Sequence, residues 1–159
     1  MTGAPAGHNA PDIAFADNMI PHHEQGIDMS ALVPDRSNNS EAVTFAAKIA
    51  AALHSDIAIL KVLRVQWDEN PDTKKEGPTP GTTTKGMVDN ATIAKLDSLH
   101  GTDFDTLWLQ SMISLAQGAI EMANAEVARG KNMDAIGLAK HIVAAQQAEI
   151  GQMNQMLEG

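Results

Sequence analysis

The stretches MIPHHEQGIDM (residues 19–29) and MISLAQGAIEM (residues 112–122) decide the predicted fold, because the second resembles a copy of the first. A shift of 93 residues aligns them without a gap and carries Met19 onto Met112. The same shift aligns positions outside the two stretches: Asp12 with Asp105, Phe15 with Trp108, Ile49 with Ile142 and Asp56 with Glu149. Because one register holds across two helical segments, the chain is predicted to contain two copies of one helical hairpin.

Hydrophobic spacing and helix-ending residues predict helices over nearly the whole chain. Long helices are expected from about Pro11 to Leu32, from Ser40 to Glu69, from Thr102 to Arg129 and from Asn132 to Leu157, with a short helix from Asn90 to about His100. Asn9 is expected to cap the first helix. The sequence TDFD (residues 102–105) resembles a capping box for the helix that it begins.

These elements predict an all-α fold, namely a four-helix bundle made of two repeated hairpins with one short extra helix in the connection. A single domain covers residues 1–159. The repeat halves are expected at 11–70 and 102–158, with a linker rich in Pro, Gly and Thr at 71–101. Equivalent positions of the two hairpins are expected to face each other across the core.

The composition excludes several classes of protein. A net charge of −9 argues against binding to nucleic-acid backbones or anionic membranes, and the absence of cysteine excludes disulfides and thiolate metal sites. No run of apolar residues reaches about 18, so no transmembrane span is predicted. The first residues lack a basic region followed by an apolar one, so no signal peptide is predicted. Self-association into a homo-oligomer is left open.

Helical spacing predicts which polar side chains point into the bundle. On the first helix, His22 lies on the apolar face and His23 on the adjoining stripe. On the second helix, Asp56 is the single charged member of an apolar stripe, and Glu149 holds the equivalent position in the second hairpin. A buried carboxylate needs a partner. We therefore expect His22 or His23 to pair with Asp56, whereas Glu149 must reach Gln146, the histidines of the other hairpin or water, or hold a proton.

The motifs FADNMIPHHEQGIDM (residues 15–29), FDTLWLQSMISLAQGAIEMA (residues 104–123) and LAKHIVAAQQAEIGQMNQML (residues 138–157) resemble those of a known family, domain of unknown function 305. The resemblance implies a duplicated ferritin-like four-helix bundle. It also implies an exported bacterial protein, periplasmic or extracellular, that binds copper through Met and His side chains. The residues that map onto the metal-binding core of the family are Met19, His22, His23 and Met29.

The chain departs from the family pattern around one inferred centre. Leu115 and Ala116 stand where the family usually has a second His-His pair, and Leu53 stands where it often has glutamine. The linker keeps only Met87 and His100 of the family's usual Met and His residues. These departures remove metal ligands and predict an apolar cavity, with a weakened or lost metal function.

The difference between the two copies predicts a core with one polar and one apolar wall. Replacing an imidazole by the methyl group of Ala116 leaves a void unless neighbouring side chains collapse into it. Such a void is a default site for a small, flat, apolar organic molecule. The residues expected around it are Leu53, Leu115, Ala116, Ala119, Met122 and Gln146, with Glu149 at the junction of the two walls.

Three functions from different classes fit these features. The first is copper binding or sequestration without turnover, by the Met/His core named above. The second is proton-transfer catalysis on a small molecule in an emptied metal site, with a general base drawn from His22, His23, Asp56 and Glu149. The third is a structural bundle whose histidines only satisfy buried carboxylates. A di-iron enzyme is not expected, because the long helices carry no Glu-x-x-His pair.

Overall fold

The computed structural model describes residues 7–69 and 87–158, and this part of the chain is almost entirely helical. Within it there are six helices and no β-strand. The helices are α1 (Ala10–Ala31), α2 (Val33–Arg36), α3 (Ser40–Glu69), α4 (Asn90–Ser98), α5 (Gly101–Arg129) and α6 (Met133–Glu158). The predicted all-α fold is therefore confirmed. Most of the predicted linker, residues 71–86, lies outside the described ranges.

The four long helices form two hairpins that pack against each other through α1 and α5. In one hairpin α1 packs along α3, and in the other α5 packs along α6, whereas α3 and α6 touch each other only sparsely. Positions 93 residues apart are buried in both hairpins, as with Phe15 and Trp108 or with Ile49 and Ile142. This burial pattern fits the four-helix bundle, while the superposition of the two hairpins stays a prediction.

The core consists of two apolar clusters that divide along α1. Met19 belongs to the cluster that contains Phe15 and Trp67, and Met29 belongs to the cluster that contains Trp108. His22 and His23 therefore lie where the two clusters meet, and both are buried. Apolar side chains close the core on either side of this junction, so the two histidines lie as buried polar groups between apolar ones.

The start of α1 is also a contact between the two hairpins. Asn9 and Asp12 form the expected capping box, with the Asp12 backbone N–H donating to Asn9 Oδ1 at 3.1 Å and the Asn9 N–H donating to Asp12 Oδ2 at 2.8 Å. The Asp12 carboxylate also accepts hydrogen bonds from the backbone N–H groups of Lys131 and Asn132. Asp12 thus stabilises both the beginning of α1 and the turn between α5 and α6.

Two helix ends differ in detail from the prediction. α5 begins at Gly101 with His100 as its N-cap, and no side chain caps it, so TDFD is not a capping box. Gly101 has a φ of 63°, which glycine adopts at no steric cost, and the chain therefore turns directly from α4 into α5. At the other end of the first hairpin, α1 stops at Ala31 and the separate turn α2 follows, with Pro34 in its first positions.

α3 is more apolar on average than the lack of a long uninterrupted run of apolar residues indicated. An 18-residue window of this helix has a mean hydropathy of 1.5, so its length and composition would suffice to cross a membrane. Only 39% of that window is buried inside the bundle. Core helices of soluble proteins meet the same criterion, so this finding is weak evidence for a membrane span. It does show that α3 carries apolar residues beyond those that its buried stripe uses.

Glu126 is a buried acid that the sequence reasoning missed. Its side chain on α5 is 1% exposed and lies over Gly130, where a Cβ would overlap the carboxyl group. The pKa of Glu126 is raised to about 9, first by burial and then by the neighbouring Asp12 carboxyl, through a hydrogen bond and through its negative charge. That hydrogen bond is a poor one, since neither Glu126 oxygen meets the usual geometric limits. Glu126 is therefore protonated at neutral pH.

We expect Glu126→Gln to stabilise the bundle at alkaline pH. In the folded protein Glu126 keeps its proton up to about pH 9, whereas the unfolded chain loses it near 4.5, so this group lowers the free energy of unfolding as pH rises between these values. Glutamine is neutral at every pH, and it should raise the free energy of unfolding at pH 8 by about 1–3 kcal/mol. Urea unfolding of both proteins at pH 5 and pH 8 measures the difference.

The matched control is Glu121→Gln, an exposed acid on the same helix. It should leave the pH dependence of unfolding as it is in the parent protein. Parallel pH curves for the parent and Glu126→Gln would contradict the assignment of a buried, protonated carboxyl.

Candidate functional site

A small pocket lies between the two hairpins, where His22 and His23 meet the apolar cluster that contains Met29 and Trp108. All four long helices contribute to it. The residues that line it are His22, His23, Ile49, Leu53, Met112, Leu115, Ala116, Gln146, Glu149 and Met153. One side of this pocket is therefore imidazole and carboxyl, and the rest is thioether and hydrocarbon with one amide.

The polar side is organised by a hydrogen bond between α1 and α3. His23 Nε2 lies 3.0 Å from Asp56 Oδ2, and the His23 side chain has no exposed surface. Since a carboxylate can only accept, Nε2 carries the hydrogen and donates it to Asp56. The other ring nitrogen, Nδ1, is buried and has no hydrogen-bond partner. In the neutral imidazole this Nδ1 presents a lone pair, which is the form that binds a metal ion.

Glu149 brings a second carboxyl to the same place. It lines the pocket with both histidines and is partly exposed. The pKa of Glu149 is raised to about 7, first by burial and then by the negative charge of Asp56, and the charge of Lys48 opposes both. Among the alternatives predicted for this residue, the structure thus places Glu149 beside the histidines of the other hairpin and favours its protonated form below neutral pH.

The structure brings most of the predicted site residues together. His22, His23, Leu53, Leu115, Ala116, Gln146 and Glu149 all line the pocket. Asp56 does not line the pocket, but its carboxylate accepts the hydrogen bond from His23 Nε2.

Four residues that were expected at this site lie elsewhere, which corrects the prediction. Met19, Met29, Ala119 and Met122 do not line the pocket. The reason is distance along the helix. Met19 and Met29 are ten residues apart, which is about 15 Å at 1.5 Å per residue, so one ion cannot bind both. Periodicity places residues on one face but does not place them at one level.

The thioethers that do reach the pocket are Met112 and Met153, together with the hydrocarbon of Ile49. Neither methionine was among the residues expected around the pocket. A signal for them was available, since Met112 lies one turn before Leu115 and Met153 lies one turn after Glu149.

The predicted void is almost filled. The cavity has a volume of about 10 Å³, room for at most one water molecule, so the predicted site for a flat organic molecule is wrong for this structure. The space is taken by Leu53 and Leu115, whose methyl groups lie over Gly26. A Cβ on Gly26 would stand 2.8 Å from Leu53 Cδ1 and 3.2 Å from Leu115 Cδ2. Neighbouring leucines have therefore packed into the room that two imidazoles would occupy.

The remaining donors restrict the kind of metal ion that fits. Within residues 7–69 and 87–158, no three His, Cys, Asp or Glu side chains lie close enough to hold a metal ion. Two imidazoles with two thioethers remain around the pocket, and this mixture suits a soft monovalent ion.

The family model described as domain of unknown function 305 matches residues 12–157. No protein in the curated set matches the chain. A crystal structure of a candidate secreted protein with this domain from Streptomyces coelicolor has a TM-score of 0.83 at 28% identity, covering 93% of this chain and 91% of the other.

Structures of a protein named CopM are also similar to the chain. The copper(II)-bound form has a TM-score of 0.76 at 26% identity, covering 92% of this chain and 95% of CopM. A silver-bound form has a TM-score of 0.72 at 26% identity, with the same two coverages. Similarity over nearly the whole of each chain shows that these proteins share the bundle itself.

We expect Asp56→Asn to lower the pKa of Glu149. The negative charge of Asp56 is one of the causes that raise this pKa to about 7, and asparagine removes the charge while its oxygen can still accept from His23 Nε2–H. The pKa should move toward the ordinary value of 4.5. Carbon-13 NMR titration of the glutamate carboxyls measures it directly. Asp28→Asn, at an exposed position of α1, is the control and should leave Glu149 unchanged.

Proposed function

Because the chain belongs to the family described as domain of unknown function 305, we propose that it binds a soft monovalent metal ion, Cu(I) or Ag(I), in the pocket between its hairpins. The similarity to CopM, whose structures include a copper(II)-bound and a silver-bound form, supports copper or silver as the metal, and the silver-bound form supports a monovalent ion. The proposal concerns binding and sequestration without turnover.

The observation that carries the proposal is the buried, unpartnered Nδ1 of His23. A buried polar atom without a partner is costly, and such an atom in a native structure calls for an explanation. A metal-ligating histidine usually donates its second ring N–H to a carboxylate, which fixes the tautomer and the ring orientation. His23 already has that arrangement through Asp56, and it lines the pocket.

The proposed ligands are His22, His23, Met112 and Met153. Thioether and imidazole are the donors that suit Cu(I), and all four side chains line one pocket. Met19 and Met29, which the family resemblance implied, are not proposed as ligands, because neither side chain lines the pocket.

A negatively charged group lies near the proposed site of the metal ion. A cation in a buried pocket is unfavourable unless a negative group lies near it. Asp56 lies behind His23, and its carboxylate can offset the charge through the shared imidazole. General-base catalysis is not proposed, because a cavity of about 10 Å³ admits no organic substrate beside Glu149.

The proposed location is outside the cytoplasm. A similar structure comes from a candidate secreted protein, and the chain has no cysteine that an oxidising compartment or copper would oxidise.

The decisive experiment compares two methionine pairs. Cu(I) affinity is measured by competition with bicinchoninate under anaerobic conditions. Met112→Leu with Met153→Leu should weaken binding by roughly tenfold or more, which is about 1.4 kcal/mol, because it removes both thioethers from the pocket. Met19→Leu with Met29→Leu is the matched control, since these methionines are equally buried, and it should leave the affinity unchanged.

A second pair of variants tests the imidazoles. His22→Ala combined with His23→Gln should abolish binding, while the glutamine can still donate to Asp56 and so preserve the fold. No measurable Cu(I) or Ag(I) binding by the parent protein would refute the proposal. Loss of binding in the Met19, Met29 control alone would place the site elsewhere in the bundle.

A further inference from the structure

The solvent-facing side of α3 is apolar along most of its length, and we call it the outer face of α3. Its residues are Ala47, Ala51, Ala52, Ser55, Ala58, Ile59, Val62 and Val65, all of them exposed. The three largest, Ile59, Val62 and Val65, are 46%, 56% and 55% exposed. Scattered exposed apolar residues are ordinary, but a contiguous helix face of this kind marks an interaction surface.

The bundle itself does not require this face to be apolar. In α6, the residues that follow Ile59, Val62 and Val65 by 93 positions are Gln152, Gln155 and Glu158, and all three are exposed. α6 occupies in its hairpin the place that α3 occupies in the other. Since the same position in the bundle accepts polar residues in one hairpin, the apolar residues of the other have a separate cause.

We infer that the outer face of α3 binds a second copy of this chain, with the two α3 helices antiparallel about a two-fold axis. A two-fold interface must be self-complementary, because the same patch forms both sides. The outer face meets this condition: its N-terminal half is small and its C-terminal half is β-branched. With the axis beside Ala58, Ala52 comes level with Val65 of the second copy, and Ser55 comes level with Val62.

The charges around the outer face favour the same arrangement. The chain carries a net charge of −9, which makes two copies repel at most surfaces. The outer face contains no acidic residue and is flanked by Lys48 and Lys61. In the same antiparallel register, Lys48 comes within one residue of the level of Asp68 of the second copy, and the two helix dipoles oppose each other favourably.

The size of the face sets the expected strength of association. From Ala47 to Val65 it extends about 27 Å at 1.5 Å per residue. One helix packed on one helix buries less than the roughly 1,200–2,000 Å² of stable complexes, so the dimer should be weak and concentration-dependent. Added salt should strengthen it, because salt screens the repulsion between two acidic chains.

The test transplants the polar face of α6 onto α3. The variant combines Ile59→Gln, Val62→Gln and Val65→Glu, and sedimentation equilibrium is measured from micromolar to millimolar concentrations. The parent should pass from monomer to dimer over this range, and the variant should remain monomeric with an unchanged melting temperature. Met133→Gln is the control, since it removes an apolar side chain that is 70% exposed outside the proposed interface. It should dimerise like the parent.

Cross-linking tests the position of the axis, because the chain has no cysteine of its own. Ala58→Cys should form a disulfide-linked dimer on mild oxidation, and Gln152→Cys on α6 should form far less. A parent protein that is monomeric throughout, or a triple variant that dimerises like the parent, would overturn the inference. A monomeric parent that instead sediments with vesicles of phosphatidylcholine and phosphatidylglycerol would assign the outer face to a membrane and also overturn it.

Discussion

A carboxylate inside a helical bundle has to be paired, and the hydrogen bond between Asp56 and His23 is the pairing on which the rest of this core depends. It joins α1 to α3 and fixes which His23 nitrogen carries the hydrogen. It leaves Nδ1 as a buried atom without a partner. Its negative charge also raises the pKa of Glu149 across the interface between the hairpins. One local requirement thus sets the tautomer, the charge and the donor chemistry of the pocket.

The need to pair or protonate a buried carboxyl group arises at two places in this molecule. Asp12 and Asp56, both from the first hairpin, receive hydrogen bonds from N–H groups. Glu126 and Glu149, both from the second hairpin, lack such donors, and each has a raised pKa. In each pair the satisfied carboxylate makes ionisation of its neighbour less favourable. The contact between the hairpins therefore contains two carboxyl pairs in which one member is best kept protonated.

The two hairpins share a fold but differ in what their side chains offer. The first supplies both pocket histidines and the apolar outer face of α3, whereas the second supplies the two pocket methionines and an outer face that is polar at the matching positions. Leu115 and Ala116 did not leave an open void, because Leu53 and Leu115 pack over Gly26. The pocket that remains is small, and it is lined by two imidazoles from one hairpin and two thioethers from the other.

The sequence by itself determined the all-α bundle, the inward direction of His22, His23 and Asp56, and the partnership of a histidine with that acid, because helical periodicity is local and fixes the direction of each side chain around its axis. It could not fix how far one helix is displaced along another. Only the tertiary structure therefore decided that Met112 and Met153, rather than Met19 and Met29, line the pocket together with the histidines. It alone also decided how leucines fill the cavity and that Glu126 lies beside Asp12, since packing and burial depend on all neighbouring helices at once.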